Sequence, residues 1–115
     1  MQVEETDVTI AVTDDNWQSV VVDAETPVLV DFGTEWNGEC RQMDSVLDEI
    51  ADDMWGELRV VRVNVDNSPG LAAEFGVKFL PTLLVLQDGC EEDRMVGAVS
   101  KNELEKRVSC FVEVA

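Results

Sequence analysis

The single cysteine Cys40 closes the stretch Trp36-Asn37-Gly38-Glu39-Cys40, three residues after an asparagine. Two thiols at this spacing at the start of a helix exchange disulfides, because the first attacks as a thiolate and the second resolves the mixed disulfide. A carboxamide cannot form a disulfide. The stretch therefore has the spacing of a dithiol redox loop with only one of its thiols.

Asn37 and Glu39 have side chains that suit the first turn of a helix. An asparagine at the N-cap accepts a hydrogen bond from a backbone amide, which stabilises a helix by about 1 kcal/mol. A carboxylate in the first turn, as at Glu39, also favours the helix because the amino end of a helix is positive. Beside Cys40, the same carboxylate disfavours the thiolate and raises the pKa of the thiol. Asn37-Gly38 is also typical of a hairpin turn. No alternating strand follows, so a turn from strand to helix agrees better.

Three segments around this stretch predict the elements that must position it. The β-branched, apolar run Val28–Phe32 is typical of a central strand covered on both faces. It contains Asp31, whose pKa we expect to be raised by burial. Between Glu39 and Trp55, apolar residues recur at steps of three and four, which predicts a long amphipathic helix. Leu58–Val65 predicts a second central strand.

The remaining segments give the order of elements. Val8–Val12 predicts a short strand. A helix follows, with Thr13 or Asp14 as its N-cap and with Trp17, Val20 and Val21 facing the core. A short helix ends at Gly76, two strands meet at Asp88-Gly89, and Ser100 with Glu103 forms a capping box before the last helix. The predicted order is β-α-β-α-β-α-β-β-α, in a chain of 115 residues that suits one domain.

The charge is strongly acidic, with 25 acidic residues, 8 basic residues, no histidine and a net charge of −17. This balance argues against nucleic-acid binding and against anionic membranes, because both need clusters of Lys and Arg. It favours a soluble monomer. Two explanations of the acidity stay open: adaptation to high salt, or an ordinary acidic cytoplasmic protein.

The three cysteines, Cys40, Cys90 and Cys110, have no scaffold-like spacing, which indicates free thiols in a reducing compartment. Cys90 and Cys110 are either incidental, or an exposed Cys90 supports glutathionylation or a disulfide-linked dimer. We expect no metal and no cofactor, since histidine is absent and no two cysteines have ligand-like spacing. The amino-terminal residues show no secretory signal, and we expect a cytoplasmic protein.

Several segments resemble the thioredoxin family, in particular its bacterial and plastid m-type branch. They are VLVDF followed by EWNGEC, VLDEIAD, VRVNVDNSPGLAAEFGV, LPTLLVLQDG and VGAVSKNEL, and the resemblance covers Val8 to Val112. It implies an α/β thioredoxin fold, with a central mixed five-stranded sheet flanked by helices. On this basis residues 1–115 form a single thioredoxin-like domain, with residues 1–7 as a loose extension.

The resemblance also implies how the WNGEC loop has degenerated. The family's nucleophilic cysteine corresponds to Asn37, the intervening proline to Glu39, and the buried resolving cysteine to Cys40. The bulky aromatic residue that follows the strand corresponds to Gly33, and the proline of the long helix to Ser45. The frame of a redox site is kept and its reactive centre is changed.

The other site residues are likewise implied by the resemblance. Asp31 corresponds to the family's proton relay for the resolving cysteine, with Arg62 nearby; it either keeps that role or is an inherited polar group with a satisfied partner. Leu80-Pro81 corresponds to a cis-proline segment that either holds an extended substrate or is purely structural. The predicted substrate groove comprises Trp36, Gly38, Leu80, Pro81 and Gly97.

Two functions follow from these residues. The first is a redox protein of the thioredoxin family, with weak or absent dithiol reductase activity and a monothiol role for Cys40. The second is a non-catalytic module that binds peptides or proteins in the groove at Pro81. The resemblance adds the plastid stroma as a second location, and protein or peptide partners in either case.

Overall fold

The computed structural model describes residues 9–112. The strands are β1 Ile10–Val12, β2 Val28–Gly33, β3 Arg59–Asn64, β4 Thr82–Gln87 and β5 Cys90–Val96. The helices are α1 Gly38–Asp53, α2 Pro69–Glu74 and α3 Lys101–Ser109, and a π-helical turn, Gln18–Val22, lies between β1 and β2.

The five strands form one mixed sheet in the order β1-β3-β2-β4-β5. β1 and β2 both run parallel to β3. β4 runs antiparallel to β2, and β5 runs antiparallel to β4. The predicted order of elements and the predicted α/β thioredoxin fold with a mixed five-stranded sheet are confirmed.

β2 is central in the sheet, and all six of its residues are buried. Its side chains alternate between two apolar clusters. Leu29 packs with α1 and α3 residues such as Leu47 and Leu104 on one face. Val30 and Phe32 pack on the other face. Because alternate residues of a strand share a face, Asp31 lies on the same face as Leu29, towards α1.

The turn before β2 differs from the prediction. The predicted cap, Thr13 or Asp14, is wrong, because Thr13 Oγ1 accepts a hydrogen bond from the Asp15 amide at 3.2 Å inside a turn. The helical segment there is the π-helical turn, whose N-cap is Trp17 without a side-chain bond. Local side-chain bonds thus compete with a regular helix start.

Other predicted boundaries are close to those observed. The predicted long helix ends at Asp53 rather than Trp55. Ser100 caps α3, accepting a hydrogen bond from the Glu103 amide at 3.1 Å. The predicted start of the first strand at Val8 and the loose extension 1–7 lie outside the described residues.

Candidate functional site

Asn37 joins the carboxyl end of β2 to the amino end of α1. Its backbone is extended, and its Oδ1 accepts a hydrogen bond from the Cys40 amide at 3.0 Å. The predicted capping role is therefore confirmed. The two neighbours Gly38 and Glu39, in the first turn, are both exposed. One of the free amides at the start of α1 therefore bonds an asparagine oxygen.

Cys40 is a free, buried thiol, with only 3% of the residue exposed. Burial is the main cause that raises the pKa of the Cys40 thiol, and a backbone hydrogen bond with Thr34 lowers it. The nearby carboxylates of Asp31, Asp44 and Glu39 raise this pKa further. The direction agrees with the sequence prediction, but the predicted cause, Glu39, is the smallest contribution. Cys40 is a thiol rather than a thiolate at neutral pH.

Asp31 is 4% exposed, and this burial raises the pKa of its carboxyl group from 3.8 to about 7. The charge of Arg62 lowers this pKa, and the charge of Asp44 raises it further. Its Oδ1 has no hydrogen-bond partner among the described residues. This finding disfavours the alternative in which Asp31 is an inherited polar group with a satisfied partner. A carboxyl group with this pKa exchanges a proton readily near neutral pH.

Arg62 lies next to Asp31 in the register between β3 and β2. Its guanidinium, however, bonds to α1, with Arg62 nitrogens 3.3 Å from the Asp44 carboxylate and 3.2 Å from the Asp48 carboxylate. Sequence reasoning missed both aspartates. Their positions four and eight residues after Cys40 were the available signal, since this spacing places them on one helix face.

Gly33 brings the thiol and the buried carboxyl group together. A Cβ atom added there would lie 2.9 Å from Cys40 Sγ and 3.6 Å from Asp31 Oδ1, so both groups border the space above this glycine. A pocket of about 420 Å³ opens there. Its wall includes Asp31, Gly33, Thr34, Cys40, Asp44 and Arg62.

The predicted cis peptide bond is present between Leu80 and Pro81. The Pro81 carbonyl accepts a hydrogen bond from the Gly97 amide at 2.8 Å. Since Thr82 pairs with Phe32, Pro81 lies at the end of the sheet where β2 runs into the Asn37 loop. Pro81 is buried, and Leu80 is half-buried.

Exposed apolar side chains surround this end of the sheet. Phe79 is 68% exposed and Val96, which pairs with Thr82, is 54% exposed. Trp36, in the loop after β2, is 67% exposed, and its Nε1 donates to Asp66 Oδ2 at 2.8 Å. These side chains offer apolar contacts to an extended segment.

Cys90 and Cys110 are exposed free thiols. Cys90 pairs with Gln87 at the end of β4 opposite to Pro81, so it is remote from the loop that holds Cys40. Among residues 9–112, no group of three or more His, Cys, Asp or Glu side chains is arranged to hold a metal ion. No helix in the same range is long and apolar enough to cross a membrane.

Comparison with known proteins identifies the family that this sequence matches and several similar proteins. The thioredoxin family model matches residues 8–110. The chain is similar to a chloroplastic M-type thioredoxin of Pisum sativum, with 37% identity over 101 residues, which is 88% of this chain and 59% of the pea protein. The chain thus spans less than two thirds of the pea protein.

Two bacterial proteins are covered over most of their length. A thioredoxin of Chlorobaculum thiosulfatiphilum is 38% identical over 96 residues, which is 84% of this chain and 89% of that protein. Thioredoxin 1 of Nostoc sp. is 43% identical over 93 residues, which is 81% of this chain and 87% of that protein.

Proposed function

Because this chain belongs to the thioredoxin family, we propose that it serves thiol/disulfide redox homeostasis with Cys40 as its only active-site thiol. The observation that carries the proposal is the buried Cys40 thiol bordering the same small space as Asp31, whose pKa lies at about 7. On this proposal its partners are protein or peptide disulfides, and it works as a monomer in the cytoplasm or the plastid stroma.

Because position 37 is an asparagine, this site cannot reduce disulfides efficiently by a dithiol mechanism. It stands where the family resemblance puts the attacking thiol, so a dithiol cycle has no first step. Cys40 alone can form a mixed disulfide, but no second thiol of the loop releases it. Conventional disulfide reductase activity is therefore weak or absent, and exchange through Cys40 is of the monothiol type.

Restoring the missing thiol tests this proposal. We expect the Asn37→Cys variant, reduced with dithiothreitol, to reduce a protein disulfide about a hundredfold or more faster than the native chain, since loss of one member of a catalytic pair removes most of the rate enhancement. Turnover of insulin disulfides measures the rate.

Asn37→Ser is the matched control, because serine keeps an oxygen for the helix cap and adds no thiol. It should remain as slow as the native chain. If the native chain turns over as fast as Asn37→Cys, the assignment of a lost nucleophile is wrong.

We propose peptide binding as a second function of the same end of the sheet. The exposed Phe79, Trp36 and Val96 around the cis Leu80-Pro81 bond support it, because a bound extended segment would cover their apolar surface. Binding of this kind needs no thiol chemistry.

A fluorescent unfolded peptide tests the second function. We expect equal affinity for the native chain and Cys40→Ser, and an affinity about tenfold lower for Phe79→Ser, because anchoring aromatic residues carry much of the energy of an interface. Trp55→Ser is the control, since Trp55 is 73% exposed and belongs to a different surface pocket. Affinity that depends on the Cys40 thiol would overturn this proposal.

A further inference from the structure

We propose that the pocket over Gly33 is a binding site for a small, positively charged disulfide, which exchanges there with Cys40. The inference rests on the proposed monothiol role of Cys40 and names the substrate class of that site. It concerns a route to the sulfur that is distinct from the exposed surface around Pro81.

Gly33 lets the Cys40 thiol pack closely against the end of β2, in the wall of the pocket. Any side chain at position 33 would place a Cβ atom 2.9 Å from Cys40 Sγ, closer than carbon and sulfur pack. The lining of the pocket of about 420 Å³ includes both Gly33 and Cys40. This volume lies within the range of about 300–1,000 Å³ that is typical of small-molecule sites. With only 3% of Cys40 exposed, a small disulfide fits this route better than a folded protein does.

The wall of the pocket has unmet hydrogen-bonding capacity. Asp31 Oδ1, Thr34 Oγ1 and Arg62 Nε are buried and have no hydrogen-bond partner among the described residues. All three residues line this pocket. Buried polar atoms without partners are uncommon, and these three belong to residues that line one cavity.

The charges around the pocket favour a cation. The residues that line the pocket include three acidic ones, Asp31, Glu35 and Asp44, and two basic ones, Arg41 and Arg62. Arg62 pairs with Asp44, so these two charges cancel, and Asp31 and Glu35 remain against Arg41. The whole chain carries a net charge of −17, which concentrates cations and repels anions at its surface. A disulfide with ammonium ends matches both the volume and the charge.

The exchange balances without any further reagent. Asp31, as a carboxylate, takes up the proton of the Cys40 thiol through water in the pocket, since the two side chains share no hydrogen bond. The resulting thiolate attacks one sulfur of the small disulfide. A Cys40–sulfur bond forms while the original sulfur–sulfur bond breaks, and the leaving thiolate takes the proton back from Asp31. The products are one mixed disulfide on Cys40 and one small thiol. The same small thiol reverses the step.

Cystamine is the probe, used on the full chain with Cys90→Ser and Cys110→Ser so that Cys40 is the only thiol. Mass spectrometry follows the mixed disulfide over time. We expect cystamine to react faster than dithiodiglycolate, a small disulfide with carboxylate ends, and we expect the difference to shrink as salt screens the charges.

Gly33→Ala in the same background should slow the cystamine reaction about tenfold or more, since overpacking against the sulfur closes the route. Gly70→Ala is the matched control, because a Cβ atom there meets nothing within 4 Å. Its rate should equal that of the parent protein. Circular dichroism checks that each variant is folded.

A competitor tests the pocket without any substitution there. Hexamethylenediamine has the length and charges of cystamine but no disulfide, so it should occupy the pocket and slow the reaction. The proposal is overturned if Gly33→Ala reacts as fast as the parent or faster, as it would if Cys40 reacted only through transient opening. It is equally overturned if hexamethylenediamine has no effect, or if dithiodiglycolate reacts faster. Failure of the monothiol function is a separate result, in which Cys40 exchanges with no disulfide, protein or small.

Discussion

Asp31 is held where ionisation is unfavourable, in the middle of a buried strand. Burial raises its pKa from 3.8 to about 7, so the folded chain binds more protons here than the unfolded chain between these two values. Stability contributed by this group is therefore present at low pH and is lost as the pH rises through that window. The fold holds this carboxyl group at a cost in stability.

Asp31→Asn should stabilise the chain at about pH 8 by up to about 4 kcal/mol, because it removes a buried charge, and should have little effect at about pH 4. Urea denaturation at both pH values measures the difference. Asp14→Asn, which removes the same charge from an exposed turn, is the control and should show no comparable pH-dependent gain. A gain for Asp31→Asn that is equal at the two pH values would contradict the raised pKa.

The capping role and the pKa shifts of single residues could be predicted from the sequence where they depend on residues close along the chain. The Asn37 cap follows from residue type and position, and the raised pKa of Asp31 follows from the apolar run around it. The main cause of the raised Cys40 pKa did not follow, because burial depends on contacts distant in sequence. The pocket above Gly33 was missed for the same reason, since it needs the distance between a strand and a helix.

At the scale of elements, β2 and α1 together make the site. The strand ends at Gly33, the helix starts at Gly38, and the connection between them holds both Trp36 and Asn37. β3 contributes Arg62, which ties the sheet to α1 through Asp44 and Asp48. The site is therefore as rigid as the packing of α1 on the sheet.

Most elements could be predicted because their apolar periodicity is strong. The run Val28–Phe32 is apolar enough to be recognised as a central strand, and the steps of three and four after Glu39 are those of α1. The turn before β2 could not be predicted in this way. There Asn16 Oδ1 accepts a hydrogen bond from the Thr13 amide at 2.8 Å, so short polar side chains determine the backbone.

At the scale of the whole molecule, the net charge of −17 is spread over a chain of 115 residues. Mutual repulsion of these carboxylates destabilises the compact state. Within residues 9–112, seven carboxylates are paired with Arg or Lys. Added salt should offset this repulsion, because the Debye length falls from about 30 Å at 0.01 M to about 3 Å at 1 M.

We therefore expect the midpoint of thermal unfolding to rise by about 4–8 °C, which corresponds to about 1 kcal/mol, between these two concentrations of KCl. Glycine at equal osmolality is the control, since it adds no ionic strength. A midpoint that does not rise with KCl would argue against adaptation to high salt and favour an ordinary acidic protein.

The two edges of the sheet give the acidic charge a second consequence. β1, at one edge of the sheet, has only three residues. β5, at the other edge, carries the charged residues Glu91, Glu92, Asp93 and Arg94, and its pairing with β4 shifts register there. A strand from another molecule finds little backbone to pair with at the first edge and a row of charged side chains at the second. We therefore expect both edges to disfavour polymerisation through the sheet, even when the protein is crowded among its own copies.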